Sequence, residues 1–547
     1  MRAIEQWLAG LGPRGVSALL LAVSLLMFLP GFTSLPVLDR DEARFAQASR
    51  QMLASGDFID IRFQDEPRYK KPVGIYWLQS AAVALTGAEA APIWKYRLPS
   101  LLAAVTSVLL TARIAMGFGT ARAGLIAGLM MAGVFSLGME ARLAKTDAVL
   151  LLGILASQAV LAQLWQVARA QNFARPPLPL AAVLLFWAAI SAGLLVKGPV
   201  GPMVSGLTVV ALAVIARRLG WLMALRPGLG LALTAVLVLP WYIAISVQSQ
   251  GAFWAASLGH DMIGKMAGAQ ESHGAPPGTY LALLWLTFFP ASVGLALALR
   301  PLWLWRHSRS TALLFVLAWV VPGWAVFELT PTKLTHYVLP FYPALAVAVA
   351  LVWEDLIAAP RKLWHWLVLG ALALLAAGVL GAIGAYAARL APYFTAPVGA
   401  LALALAVLAA GVALAARAMA RHLPLLAATG LAVMGLGFST GAVLAVSRVP
   451  AIWPAPRIVA AAVDATCPAP TIYAQGYFEP SLVFLSPGPV RPTTPEEAAA
   501  HLAEPCARVL LPATDQTLAP ISTEIARIEG LNLGTGKPVD LRLWQAR

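Results

Sequence analysis

The chain has 547 residues, 60% of them hydrophobic and only 12% charged, with a mean hydropathy of +0.76. That excludes a soluble protein of a few domains and calls for a bilayer as solvent. The formal charge of +14, from 39 Lys and Arg against 25 Asp and Glu, needs no nucleic acid, because cations in loops between spans set orientation and meet anionic lipid head groups.

The N-terminal stretch up to Gly15 leads into an apolar run that reads as an uncleaved first helix, since LPGFTSLPVLDRDE offers no small-x-small cleavage site. Apolar segments fit for spanning recur near 15–33, 98–117, 121–138, 146–168, 179–196, 201–216, 228–247, 278–299, 312–328, 336–353, 363–385, 396–416 and 424–446. About thirteen helices of roughly 20 residues are predicted, an all-α polytopic membrane domain over 1–446. With the N-terminus inside, the inner loops carry Arg122, Arg169, Arg175, Arg217, Arg218, Arg226, Arg300, Arg306, Arg309, Arg361, Lys362, Arg417 and Arg421. Glu5, Glu354 and Asp355 are then the acids left inside, so the outer face of the membrane is the expected working face.

The first outer loop, 34–97, is long enough to carry structure of its own. Within it the charged block 39–72 gathers Asp39, Asp41, Glu42, Arg44, Arg50, Glu66, Arg68, Lys70 and Lys71. Phe45, Ala48, Met52 and Leu53 at helical spacing predict a juxtamembrane helix over 41–55 lying in the interface. Pro72 opens a second short helix that would set Tyr76 and Trp77 at the head groups. A second long outer loop spans 248–277, and shorter ones carry MEARLAKTD (139–147), VKGP (196–199) and LTPTKLTHY (329–337). From 447 to 547 prolines, acids and short β-like runs predict a small soluble α/β domain outside the membrane. It holds both cysteines, and an oxidising compartment favours a Cys467–Cys506 bridge, with two buried thiols as the alternative.

Asp41–Glu42 followed by Arg44 is the sharpest local signal; acids at a helix N-terminus are its plain structural explanation. Asp147, at the edge of a span, is a second catalytic candidate, with Arg142 in support; an Arg142–Asp147 or Lys145–Asp147 pair that only ties helices is the alternative. Lys197 is a candidate cation or a snorkelling anchor. Lys333 and Tyr337 would share a face if helical. No cofactor is expected; a divalent metal is left open, with Glu42, Glu66 and His260 as weak ligand candidates. Tyr477, Phe478 and Glu479 read as domain core before they read as a gate.

LDRDEARFAQASRQMLASGDF followed by RYKKPVGIYWL resembles the first-loop signature of polytopic lipid-linked sugar transferases, most nearly the bacterial transferases that place 4-amino-4-deoxy-L-arabinose on lipid A. The resemblance returns at AGLLVKGP and PTKLTHYVLPFYP and is weak in the last domain. It implies the GT-C fold of protein mannosyltransferase-like enzymes, Asp41 as the catalytic carboxylate, Lys71 on the lipid phosphate, and supporting roles for Tyr337 and Lys265. Phe45 and Lys70 depart from the residues usual in the family, so roles at those positions do not transfer, and Lys265 stands where relatives often have Arg, whose bidentate grip on phosphate an ammonium cannot reproduce. The implied donor is an amino sugar on undecaprenyl phosphate and the implied acceptor is lipid A, giving polymyxin resistance. Arg44, Lys71, Lys197, Lys265, Lys333 and Tyr337 are then expected around the departing phosphate. A hydroxyl acceptor on a protein or glycan keeps the architecture and requires a general base. A lipid flippase would instead call for charges at the bilayer midplane and inverted repeats.

Overall fold

A computed structural model describes residues 1–87, 92–173, 176–257, 259, 274–305, 310–390 and 396–547. Among these, nine helices are long and apolar enough to cross a membrane. Two bent pairs, Arg2–Ala9 with Pro13–Phe28 and Thr279–Thr287 with Ala291–Trp305, raise the number of spans to 11 if each counts as one. The shorter apolar helices Ala121–Gly133 and Val200–Ala216 fill the remaining predicted positions. The chain is a multi-pass membrane protein, and helices satisfy the backbone where lipid supplies no hydrogen bonds.

Small residues let the helices close up, as lipid-solvated bundles require. A Cβ on Gly435 would lie 2.4 Å from the Gly133 carbonyl oxygen, so the two backbones touch there. At the opposite edge, Glu5 accepts from the Leu425 and Leu426 amides at 3.0 and 2.9 Å. Its charge thereby sits on the orphan donors of the Pro424–Gly435 helix.

The first outer loop holds the helix Asp41–Ser55, a two-residue hairpin of β1 (Arg62–Phe63) and β2 (Glu66–Pro67), and the helix Gly74–Thr86. The 41–55 helix forms where expected and ends on Gly56 at φ 72°, a left-handed cap that glycine adopts without cost. Its setting differs from the interfacial one predicted. Ala43, Phe45, Ala46, Gln47, Ala48, Ser49 and Met52 are all buried, because protein covers the face meant for head groups. Tyr76 is likewise buried, tilted against Phe45 with ring centres 5.5 Å apart, and the Trp77 indole donates to the Phe58 carbonyl at 2.8 Å.

That cover comes from the helix Gly74–Thr86, from Trp241, Ile245 and Phe253, and from Phe484 of the C-terminal domain. The sheet of that domain comprises β3 (Thr471–Ala474), β4 (Val490–Pro492), β5 (Ala507–Pro512), β6 (Ser522–Asn532) and β7 (Lys537–Ala546), ordered β4-β3-β5-β7-β6. β3 runs parallel to β4 and β5, and β7 runs antiparallel to β5 and β6. Ile472, Leu510, Leu541 and Leu543 close its core with Ile458 of the helix Pro454–Ala462. Cys467 and Cys506 are bridged, their Cα atoms 5.4 Å apart. The domain grips the first loop through Arg50, which donates to the Phe484 carbonyl at 2.9 Å, and Gln64, which donates to the Val490 carbonyl at 2.6 Å.

Candidate active site

The polar centre forms where separate segments meet at one edge of the bundle. Asp147 opens the helix Asp147–Ala170, where the N-terminal dipole favours a carboxylate. The helix Leu180–Lys197 ends by bringing the Lys197 ammonium to within 2.5 Å of Asp147 Oδ1. Lys145 lies 3.8 Å from Asp147 Oδ2 and 3.1 Å from Glu140 Oε1. The His336 ring stands between the two acids, 3.5 Å from Asp147 Oδ1 and 3.7 Å from Glu140 Oε1. Lys197 also lies over the Tyr337 ring, 5.0 Å from its centre.

Asp41 faces this cluster from the first turn of its own helix. Arg40 before it holds φ 66° and ψ −100°, a strained conformation for a side chain other than glycine, and one that clusters at functional sites. Burial works against the Asp41 charge, but Lys145 and Arg68 outweigh it and hold the carboxyl below its ordinary range. Burial alone would lower Lys145, yet Glu140, Asp147 and Asp41 reverse that and keep it firmly charged. Burial pushes Glu140 up to about 7 despite Lys145. Burial also lowers His336 to about 3, against the pull of Asp147, so its ring stays neutral.

A cavity of about 350 Å³ opens beside the cluster, its polar wall made by Lys70, Lys71, Asp147, Lys197 and His336. Phe253, Trp254, Phe327, Tyr337 and Leu339 make the apolar wall. An acyl or prenyl chain fits such a wall, and an anion fits the rim.

The structure thus brings Asp41, Lys71, Asp147, Lys197 and Tyr337 to one place. Arg44 lies on the wall of a second cavity, toward the C-terminal domain. Lys265 and His260 lie outside the described residues. Other sequence candidates are displaced. Lys333 donates to the Glu328 and Thr330 carbonyls at 2.8 and 2.6 Å, capping the helix Thr311–Leu329 rather than reaching for phosphate.

Arg142 is fully buried and pairs with neither Asp147 nor the cavity. It donates to the carbonyls of Met27, Pro30 and Gly138, which broken helix ends leave without partners, so its work is structural. Glu42 accepts from Arg97 Nε at 2.8 Å, Arg97 Nη2 at 2.9 Å, the Leu38 amide at 2.9 Å and the Ala144 amide at 2.8 Å. With its oxygens so engaged it is no metal ligand. Glu66 is exposed on the rim of the second cavity. Among the described residues no three His, Cys, Asp or Glu side chains gather as a metal site.

Sequence reasoning quoted the loops holding Glu140 and His336 without singling out either residue. The signal was present: every polar residue in those short outer loops lies at the same membrane edge.

A family model described as dolichyl-phosphate-mannose-protein mannosyltransferase matches residues 19–256. An undecaprenyl phosphate-alpha-4-amino-4-deoxy-L-arabinose arabinosyl transferase of Enterobacter sp. (strain 638) is 27% identical over 347 residues, 62% of this chain and 61% of that one. The protein of the same name from Pseudomonas aeruginosa (strain LESB58) is 29% identical over 313 residues, 56% of this chain and 54% of that one. The chain thus spans 61% and 54% of the length of these relatives. The crystal structure of ArnT from Cupriavidus metallidurans bound to undecaprenyl phosphate superposes with a TM-score of 0.74 at 20% identity, covering 96% of this chain and 97% of that one. Its apo state gives a TM-score of 0.72. The helical bundle, the loop helices and the C-terminal sheet agree with one architecture, and this chain shares the fold of the Cupriavidus metallidurans protein.

Proposed function

We propose that the protein transfers 4-amino-4-deoxy-L-arabinose from undecaprenyl phosphate to phosphate groups of lipid A, at the periplasmic side of a bacterial inner membrane. The observation that carries this reading is an apolar cavity whose rim combines Lys71, Lys197 and Tyr337 with Asp147. The names of the relatives and the undecaprenyl phosphate complex of the Cupriavidus metallidurans protein support the donor. Arginines in the predicted inner loops and the Cys467–Cys506 bridge support the orientation.

In this mechanism the prenyl chain lies along the apolar wall and the donor phosphate meets Lys71, Lys197 and Tyr337. An oxygen of the acceptor phosphate attacks the anomeric carbon from the face opposite the lipid phosphate. The bond to that phosphate breaks, its electron pair leaves on the phosphate oxygen, and the sugar is inverted. Fixed cations lower the barrier most where this charge grows. An anionic acceptor needs no strong base, so the ionised Asp41 orients the reactants and Lys145 holds the acids in register. Polymyxin resistance follows, because an added amino sugar offsets lipid A charge.

A hydroxyl acceptor on a protein or glycan is the second reading. It is favoured by the mannosyltransferase match and by Glu140, whose pKa of about 7 suits a general base.

The test is lipid A mass spectrometry in cells that make the donor but lack their own transferase. Wild type should add the sugar, while Asp41→Asn and Lys71→Ala at equal protein level should not. A well-expressed wild type that adds none would overturn the lipid A acceptor. We also propose that the cationic rim acts without a resident metal: excess EDTA should leave transfer by purified protein unchanged, and restoration by a divalent cation after loss would refute it.

A further inference from the structure

The second cavity, about 920 Å³, lies between the first outer loop and the C-terminal domain. Its charged lining is lopsided, with Arg44, Arg50, Arg68, Lys70 and Arg491 facing Asp65 and Glu66. Arg50 is bound to the Phe484 and Val483 carbonyls and so has a structural duty. Arg68 differs. It is only 7% exposed, its guanidinium lies 5.0 Å from the centre of the Phe45 ring, and its Nε is buried without a hydrogen-bond partner among the described residues.

A guanidinium withdrawn from water is costly unless anions or acceptors meet it. Asp41 answers part of the Arg68 charge, but the guanidinium Nε stays unmet among the described residues, and the planar fork matches phosphate oxygens two at a time. Stacking on Phe45 orients that fork but fills none of its hydrogen bonds. Lys70 lines both cavities, so an anion held here stands beside the donor pocket and reaches it from the side of the C-terminal domain.

We infer that this cavity binds the phosphorylated head group of the acceptor, with Arg68 as its buried anchor. The inference rests on the transfer reading above for the identity of the acceptor. The anion site itself does not depend on that reading.

The test uses the full-length protein in lipid nanodiscs and four probes: bisphosphorylated lipid A, the same lipid with both phosphates removed, inorganic phosphate, and undecaprenyl phosphate. Arg68→Met should weaken bisphosphorylated lipid A roughly tenfold or more, with undecaprenyl phosphate binding unchanged and the phosphate-free lipid indifferent to the substitution. Arg68→Lys should fall between, because an ammonium keeps the charge and loses the fork. Arg491→Ala, an exposed rim residue, should give a smaller loss in the same direction and serves where Arg68→Met does not fold. Unchanged lipid A binding in these variants, or an equal loss of undecaprenyl phosphate, would overturn the site. Inorganic phosphate binding as tightly as the lipid, through Arg68, would overturn the head-group assignment and leave a free-phosphate site. Arg68-dependent lipid A binding without sugar transfer would sink the transfer reading alone, and transfer indifferent to Arg68 would sink this inference alone.

Discussion

Glu42 and Arg97 keep no side-chain exposure at all, and the pair ties the start of the Asp41–Ser55 helix to Ala144, the residue before Lys145. Arg97 also donates to the Phe32 and Leu35 carbonyls at 2.9 and 2.8 Å, so one ion pair sets the spacing of Asp41 from Lys145. Glu42→Gln should strand the Arg97 charge and cost about 3–5 kcal/mol, read as a lower melting temperature of the purified protein. Melting within a degree of wild type would show the pair to be dispensable. Glu140 and His336 make a second residue-scale prediction, because their shifts oppose each other. Glu140 rises from its ordinary 4.5 to about 7, so the folded state binds the extra proton in that window and stability from this group is lost as pH climbs through it. His336 falls from 6.5 to about 3, so the unfolded state binds the extra proton there and stability is lost as pH drops through that window. Wild type should therefore melt at nearly the same temperature at pH 5 and pH 6, whereas Glu140→Gln should gain stability with rising pH and His336→Asn should lose it. Parallel slopes in the two variants would contradict the assignment. Composition pointed to the charged block that holds Asp41 and Lys71, since charge in an apolar chain attracts notice. It could not separate Asp41 from Glu42, or Arg142 from Asp147, because partners distant in sequence, such as Arg97 and the Pro30 carbonyl, decide which charge is structural.

At the scale of elements, apolar spacing located the 41–55 helix, and Pro72 announced the 74–86 helix. What covers them was not legible, because a face buried by bundle helices and a domain hundreds of residues later has the same pattern as one buried in lipid. That cover bears on the reaction. The Tyr477 hydroxyl donates to Asp39 Oδ2 at 3.3 Å, and burial raises the Asp39 pKa against the opposing effect of this hydrogen bond. Gly534 makes room for the adjacent Arg40, since a Cβ there would lie 2.8 Å from Arg40 Nε. The C-terminal domain therefore bonds Asp39 and packs against Arg40, the two residues that precede Asp41. Tyr477→Phe removes one hydrogen bond and should lower kcat by roughly fivefold, with KM for the lipid-linked donor unchanged. A merely structural tyrosine would lower the melting temperature and leave kcat per folded molecule intact, which would refute the positioning role.

At the scale of the molecule, hydropathy found the membrane domain because lipid imposes one rule on every span, and all the predicted apolar segments carry helix among the described residues. The α/β character of the last domain was also legible, from short β-like runs bounded by proline; its strand order was not, because β7 lies between β5 and β6 only through pairing that no local signal records. This domain has few helices to lean on, and the Cys467–Cys506 bridge closes a loop of 39 residues within it. Loop-closure entropy assigns such a bridge about 2–4 kcal/mol, a large share of what a small domain has. Its loss should travel to the active site through the grip on Arg50, Gln64 and Asp39 while sparing the bundle. Cys467→Ser with Cys506→Ser, or reduction of the wild type, should therefore open the last domain to protease and depress sugar transfer. Undecaprenyl phosphate binding and the melting of the helical part should persist, because the apolar cavity is walled mainly by the bundle and the outer loops. Full transfer by a protein whose C-terminal domain has become protease-sensitive would uncouple that domain from catalysis and return the site to the membrane domain alone.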